Sequence, residues 1–301
     1  MSAERVPDSE KREALKALST SDLIAEAELN LASEDLWDYV VALHFRPEEA
    51  VFQAARAWCL SSDAALRSLG ADVLAQLGVW ERPFREQSLP ILWPLLDDPS
   101  VDVLCSTLHA LHYLDIAGAE PRLLPLLGHE SADVRYGLAV ALLTIESDLA
   151  VNMLIRLSED SDTDVRNWAT FGLGSQIDMD SEEIRDALLR RVADLDNETR
   201  GEAFVGLARR RDKRVVVPLL VELSSDCVGT LAVEAAKEIA DPRLLDVLNE
   251  LTDWWDVNEC LLREAIAACE GPGTDANGTN LGTGSTQFEG QSGVPPSSGI
   301  A

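Results

Sequence analysis

Basic residues are scarce in this chain. Its 25 Lys and Arg stand against 53 Asp and Glu, a net charge of −28 over 301 residues. Such a field repels nucleic-acid phosphates and anionic membranes and attracts basic partners. Cysteine is sparse as well. The five thiols (Cys59, Cys105, Cys227, Cys260 and Cys269) are scattered and form no Cys-x-x-Cys pair. All but Cys227 lie in apolar helical contexts, where a free thiol behaves as a small hydrophobe. No apolar run approaches the roughly 20 residues of a membrane span. The first residues, Met-Ser-Ala-Glu-Arg-Val-Pro-Asp, are polar and unlike a signal peptide. A reducing, cytoplasmic setting is expected. Gly-x-Ser-x-Gly, a phosphate loop and a zinc-protease helix are all missing from the sequence. No catalytic residue, cofactor or metal site is therefore expected. Aromatics make up only 5% of a chain that is 46% hydrophobic and rich in Ala and Leu. That composition favours helices around a core.

A repeat of about 30 residues is present. Each unit is expected to hold two amphipathic helices joined by a small polar turn, then a β-branched residue or Leu, then Arg. The turns read Ser-Asp-Ala-Ala-Leu-Arg to Arg67, Ser-Ala-Asp-Val-Arg to Arg135, Asp-Thr-Asp-Val-Arg to Arg166 and Asp-Asn-Glu-Thr-Arg to Arg200. Two further copies end at Leu104 and Gly229 and have lost the Arg. Small or apolar residues follow three, six and seven positions after each anchor, as in Ala169, Gly172 and Leu173. That stripe lets neighbouring helices approach closely, and stacked units bury what one unit cannot. The acidic or Ser residue is expected to cap the second helix. Arg67, Arg135, Arg166 and Arg200 are expected to bond turn carbonyls or carboxylates along the stack.

The Asp-x-x-Val-Arg turns and Ala/Gly-rich second helices resemble the HEAT repeat superfamily, in particular its short bacterial phycobilisome-lyase-type repeats. The resemblance covers roughly residues 48–270. It implies an all-α fold, a right-handed α-solenoid of HEAT-like repeats. Residues 1–47 are expected to be capping helices, with N-caps offered by Thr20, Ser21 and Asp22. From residue 271 the last 31 residues hold 8 of the 18 Gly and only two charges, a composition of disorder.

Function is less legible. His109 and His112 lie three apart on one helix with no third ligand in view, so a surface pair is expected rather than a metal site. His129-Glu130 occurs once, whereas the HEAT-repeat iron enzyme deoxyhypusine hydroxylase repeats such a pair. Nine of the 25 basic residues fall within 185–214, beside six acidic ones. A solvated loop is expected there, and nucleic-acid binding is disfavoured. In solenoids of the resembled kind the second helices line the concave face. Positions one, two, five and nine after each anchor are expected to be exposed on it. These place Tyr136, Asn167, Trp168 and Phe171 together, with His109, Glu202 and Glu234 around them. Aromatic residues dominate interface hot spots, and an acidic surround suits a basic protein partner. The expected function is a non-enzymatic protein-binding scaffold or inhibitor, of immunity or antitoxin type. The alternatives are a phycobilin-lyase-like or chaperone-like protein, and a nucleic-acid-binding protein of the DNA glycosylase type.

Overall fold

The turn residues fix where each helix begins. Asp63, Ser131, Asp162 and Asp196 each turn a side-chain oxygen onto backbone N–H groups of the following first turn. That satisfies donors the helix itself leaves unpaired. Near the N-terminus the cap is Ser19, one residue before the expected trio.

The protein is described by a computed structural model over residues 8–114, 116 and 118–271. The first seven residues of the expected N-terminal cap and the tail beyond Gly271 lie outside the described residues. A first helix, α1 (Asp8–Ala17), precedes the pair α2 (Thr20–Leu29) and α3 (Leu36–His44). The pairs α4 (Glu49–Cys59) with α5 (Ala64–Gln76) and α6 (Arg85–Leu92) with α7 (Val101–Tyr113) follow. Helix α8 (Ala132–Leu142) is the second helix of the third unit. Then come α9 (Asp148–Leu157) with α10 (Thr163–Phe171), α11 (Glu182–Arg191) with α12 (Asn197–Arg209), and α13 (Val216–Leu223) with α14 (Thr230–Ile239). The pair α15 (Leu245–Leu251) and α16 (Glu259–Glu270) ends the stack. No strand occurs among the described residues. The fold is an α-solenoid.

The third unit departs from the expected pair of helices. Its first helix is replaced by two short 3₁₀ turns, Glu120–Arg122 and Leu124–Gly128. Pro121 and Pro125 each lack an N–H and clash with a preceding carbonyl, which disfavours a regular α-helix through this stretch.

One hydrophobic core runs from Leu15 to Cys269. The second helices stack directly in a row, α5 on α7, α7 on α8, α8 on α10, α10 on α12, α12 on α14 and α14 on α16. First helices such as α9 and α11 touch more sparingly. The tighter row becomes the inner wall of the curve. Glycine makes the tightest step possible. A Cβ on Gly206 would sit 2.5 Å from the Gly174 Cα, so α12 and the π-turn Gly172–Gln176 that extends α10 meet backbone to backbone.

Four arginines tie consecutive units together. Arg67, Arg135 and Arg166 each use Nε and a terminal nitrogen to grip one carboxylate of the next unit: Asp98, Asp160 and Asp194. Their remaining nitrogen bonds two carbonyls of their own turn, as Arg135 does to His129 and Glu130. Arg200 grips Glu222 in the same fashion. Each gripped aspartate stands six residues before the next anchor. It also accepts the N–H two residues on, as Asp160 does from Asp162. The missing rung follows the same logic. Leu104 has lost the guanidinium, and His129 stands where its carboxylate would be. There Nδ1 of His129 accepts the Ser131 N–H at 3.1 Å, so the turn survives without the ion pair.

Candidate functional site

The inner row of second helices carries the candidate residues. Tyr136 on α8, and Trp168 and Phe171 on α10, form one aromatic cluster. The Trp168 ring meets both neighbours edge-on, with centroids 5.7 Å from each. Edge-to-face geometry is the preferred arrangement of aromatic quadrupoles. Tyr136 and Trp168 also pack on the core and are half-buried. Trp168 thus bridges two units while keeping part of its ring uncovered.

A carboxylate cluster lies beside this group. Asn167 donates to Glu198 at 3.1 Å, and Ser175 donates to Glu202 at 2.7 Å. Burial raises the Glu202 carboxyl above the usual range. The Ser175 hydrogen bond opposes that rise, while the charges of Glu234 and Glu198 add to it. Tyr136 is raised too, by burial and then by the Asp164 charge. Glu202 and Glu234 are both half-buried on the second-helix row. The cluster is held together against its own repulsion, which a cation placed there would relieve.

His109 lies apart from this cluster, toward the N-terminal end. Its ring is 6.1 Å from Trp37 and 5.0 Å from Tyr113. Burial pushes it down to about 4, with His112 and His44 adding to the fall. His112 is half-buried and bonded to the Val140 backbone. The expected surface pair is half-buried: Tyr113 packs edge-on against both rings, and Trp37 lies against His109. Beneath them lies Asp72. Burial pushes its carboxyl up to about 7 against a hydrogen bond from Ser106. Its carbonyl accepts His44 Nε2–H at 2.8 Å.

Several positions expected to be exposed are not. Leu69 and Val205 are 1% and 2% exposed. Gly137 and Gly201 are buried because a side chain there would run into Leu108 and Leu231. The second helices sit too close for four exposed positions per unit.

The basic cluster of 185–214 is also not a solvated loop. Arg185, Arg190, Arg191, Arg200, Lys213 and Arg214 pair with carboxylates. Arg209, Arg210 and Arg211 bond backbone carbonyls at helix ends. Among the described residues no group of three or more His, Cys, Asp or Glu could hold a metal ion. No described helix is long and apolar enough to cross a membrane.

The sequence expectations missed one surface. Trp37 and Val41 on α3 and Phe45 at its C-terminal cap are exposed at four-residue spacing, and Trp80 is exposed on the turn after α5. The spacing itself was the available signal.

Residues 89–174 match the family model for HEAT repeats. Protein YibA of Escherichia coli K12 is 37% identical over 132 residues, which is 44% of this chain and 47% of that protein. The match thus spans about half the length of this curated relative. The X-ray structure of E. coli YibA aligns over 90% of this chain and 99% of its own, with TM-score 0.69 and 26% identity. The HEAT-like repeats protein of the archaeon Thermococcus onnurineus NA1 aligns over 89% of this chain and 97% of its own, at TM-score 0.40 and 13% identity. The chain thus carries HEAT-like repeats and is similar to YibA in sequence over part of its length and in fold over most of it.

Proposed function

We propose that this protein is a non-catalytic scaffold that binds a basic protein partner on its inner wall, as an inhibitor of the immunity or antitoxin kind. The Tyr136–Trp168–Phe171 cluster carries the proposal. It is a rigid aromatic group, partly uncovered, beside the mutually repelling carboxylates Glu198, Glu202 and Glu234. Aromatic anchors supply affinity when desolvated, and the acidic surround supplies steering and partner choice. Five free cysteines are in keeping with action in a reducing cytoplasm. The nucleic-acid alternative has less support, since the nine basic side chains of 185–214 are engaged within the chain. The pigment-lyase alternative draws only on the turn sequences.

The test is capture of a partner from native lysate, followed by titration of the purified pair. Trp168→Ala is expected to weaken binding by about 2 kcal/mol or more, roughly thirtyfold. Raising salt is expected to slow association. An unchanged Kd for both Trp168→Ala and Tyr136→Ala would remove the inner-wall site.

A further inference from the structure

The surface missed from the sequence lies at the N-terminal end of the solenoid. Trp37, Val41 and Phe45 recur every four residues, so they share one face of α3 and its C-terminal cap over about 12 Å. They are 48%, 37% and 68% exposed, and Trp80 nearby is 91% exposed. The turn bearing Trp80 is tied to the end of α3 by the Gly78 N–H, which donates to the His44 carbonyl at 2.8 Å.

That turn is strained and rigid. Val79 and Arg82 both adopt left-handed backbone, with φ of 49° and 42°. A β-branched residue there is a true outlier, and it persists only where surrounding contacts impose it. Those contacts are present. Arg82 bonds the Tyr113 carbonyl and lies 5.4 Å from the Tyr113 ring centroid, and Arg85 bonds the Leu114 carbonyl. The backbone is thus locked in an unfavourable conformation that holds a bare indole in water. Packing gives no reason for this, whereas an interface anchor does.

The nearby charges indicate what would cover the patch. The cations nearest the patch are engaged within the chain, Lys11 with Asp35 and Asp38 at the start of α3. Arg46 bonds the Leu15 and Lys16 carbonyls, and Arg82 and Arg85 bond the end of α7. The exposed charges flanking the patch in sequence are carboxylates: Glu34 before Trp37, Glu48 after Phe45 and Glu81 after Trp80. A second copy, with its own charge of −28, would be repelled. We infer that the Trp37–Val41–Phe45 face with Trp80 is a docking site for a cationic amphipathic helix. The helix lays its apolar stripe along α3 and turns Lys or Arg toward the rim. This site is separate from the inner-wall cluster and does not depend on it.

The probe is a labelled 18-residue Leu/Lys peptide with Leu at i, i+3, i+4 and i+7 spacing, titrated into the full chain at physiological salt. A scrambled peptide of the same composition controls for plain attraction to an acidic protein. The patterned peptide is expected to bind at least tenfold tighter than the scrambled one. Trp80→Ala and Phe45→Ser are each expected to weaken it at least tenfold with an unchanged circular dichroism spectrum. Trp168→Ala is expected to leave it alone. Equal binding of the two peptides overturns the inference, as does full affinity in Trp80→Ala. Loss of binding in Trp168→Ala alone overturns it too, by moving the peptide to the inner wall. A concentration-dependent dimer that Trp80→Ala abolishes assigns the patch to a second copy and also overturns it.

Discussion

Removing one partner from a rung of the arginine ladder is expected to cost more than removing both. Arg135 and Asp160 suit the test. Their side chains are 14% and 10% exposed, and Nε and a terminal nitrogen meet the carboxylate at 2.6 and 2.8 Å. Arg135→Leu strands a mostly covered carboxylate and frees the His129 and Glu130 carbonyls. The expected cost is about 2–4 kcal/mol, somewhat below the range for fully buried pairs because both ends keep some water. Asp160→His alone strands the guanidinium at a similar cost of about 2–4 kcal/mol. The double variant copies the natural gap, where Leu104 and His129 occupy the two positions. His at 160 can also accept the Asp162 N–H as His129 accepts that of Ser131. Ion pairs replaced as a pair are often close to neutral, so the double variant should lie within about 2 kcal/mol of wild type. Urea unfolding followed by circular dichroism gives the four stabilities at constant m. A coupling energy of at least about 1.5 kcal/mol is expected. Simple additivity of the two single losses would show that the rung is ornamental.

Gly206→Ala should destabilise by about 1–3 kcal/mol, because its Cβ falls 2.5 Å from the Gly174 Cα and 2.9 Å from Leu188 Cδ1. Gly128→Ala, which meets nothing within 4 Å, should be neutral in the same melt. Asp72→Asn should stabilise the protein most above pH 7. The wild-type carboxyl is pushed up to about 7 when folded, against about 3.9 unfolded, so its penalty is full above pH 7 and fades as pH falls. Thermal melts at pH 8 and pH 5 check this through the shrinking gap between variant and wild type. Asp98 and Asp160 are held low by their arginines, so the ladder's contribution should persist to about pH 4 and be lost below it. An acid titration of Arg135→Leu should lack the Asp160 share of that loss.

The fold was legible because its determinants are local and repeated. Arg67, Arg135, Arg166 and Arg200 mark the turns, and Asp63, Ser131, Asp162 and Asp196 cap the helices as expected. The gripped carboxylates lie six residues before an anchor but bond to the preceding unit. They are aligned in sequence at Asp98, Asp160 and Asp194 and were not read, because a pairing across 25 to 31 residues has no local signature. The 3₁₀ turns of the third unit were signalled by Pro121 and Pro125. The over-generous exposed face failed for a different reason. Exposure depends on the spacing of neighbouring helices, and Gly174 and Gly206 set that spacing only once both are placed.

The same long-range pairing shapes the surface. In a stack of this kind a basic residue has two uses, joining units or meeting a partner. Here joining takes many of the cations. The ladder takes four, the helix ends take Arg82, Arg85, Arg209, Arg210 and Arg211, and Arg214 grips Asp212 and Asp186. Each cation drawn inward leaves the surface more acidic than composition alone implies. A face rich in carboxylates attracts any cation and chooses poorly among them. Selectivity must come from groups that charge does not dictate. Two such groups are on display, the bridged ring of Trp168 on the inner wall and the strained, bare Trp80 at the end. Replacing either indole should therefore alter which basic ligand is held, while leaving the general attraction to cations intact.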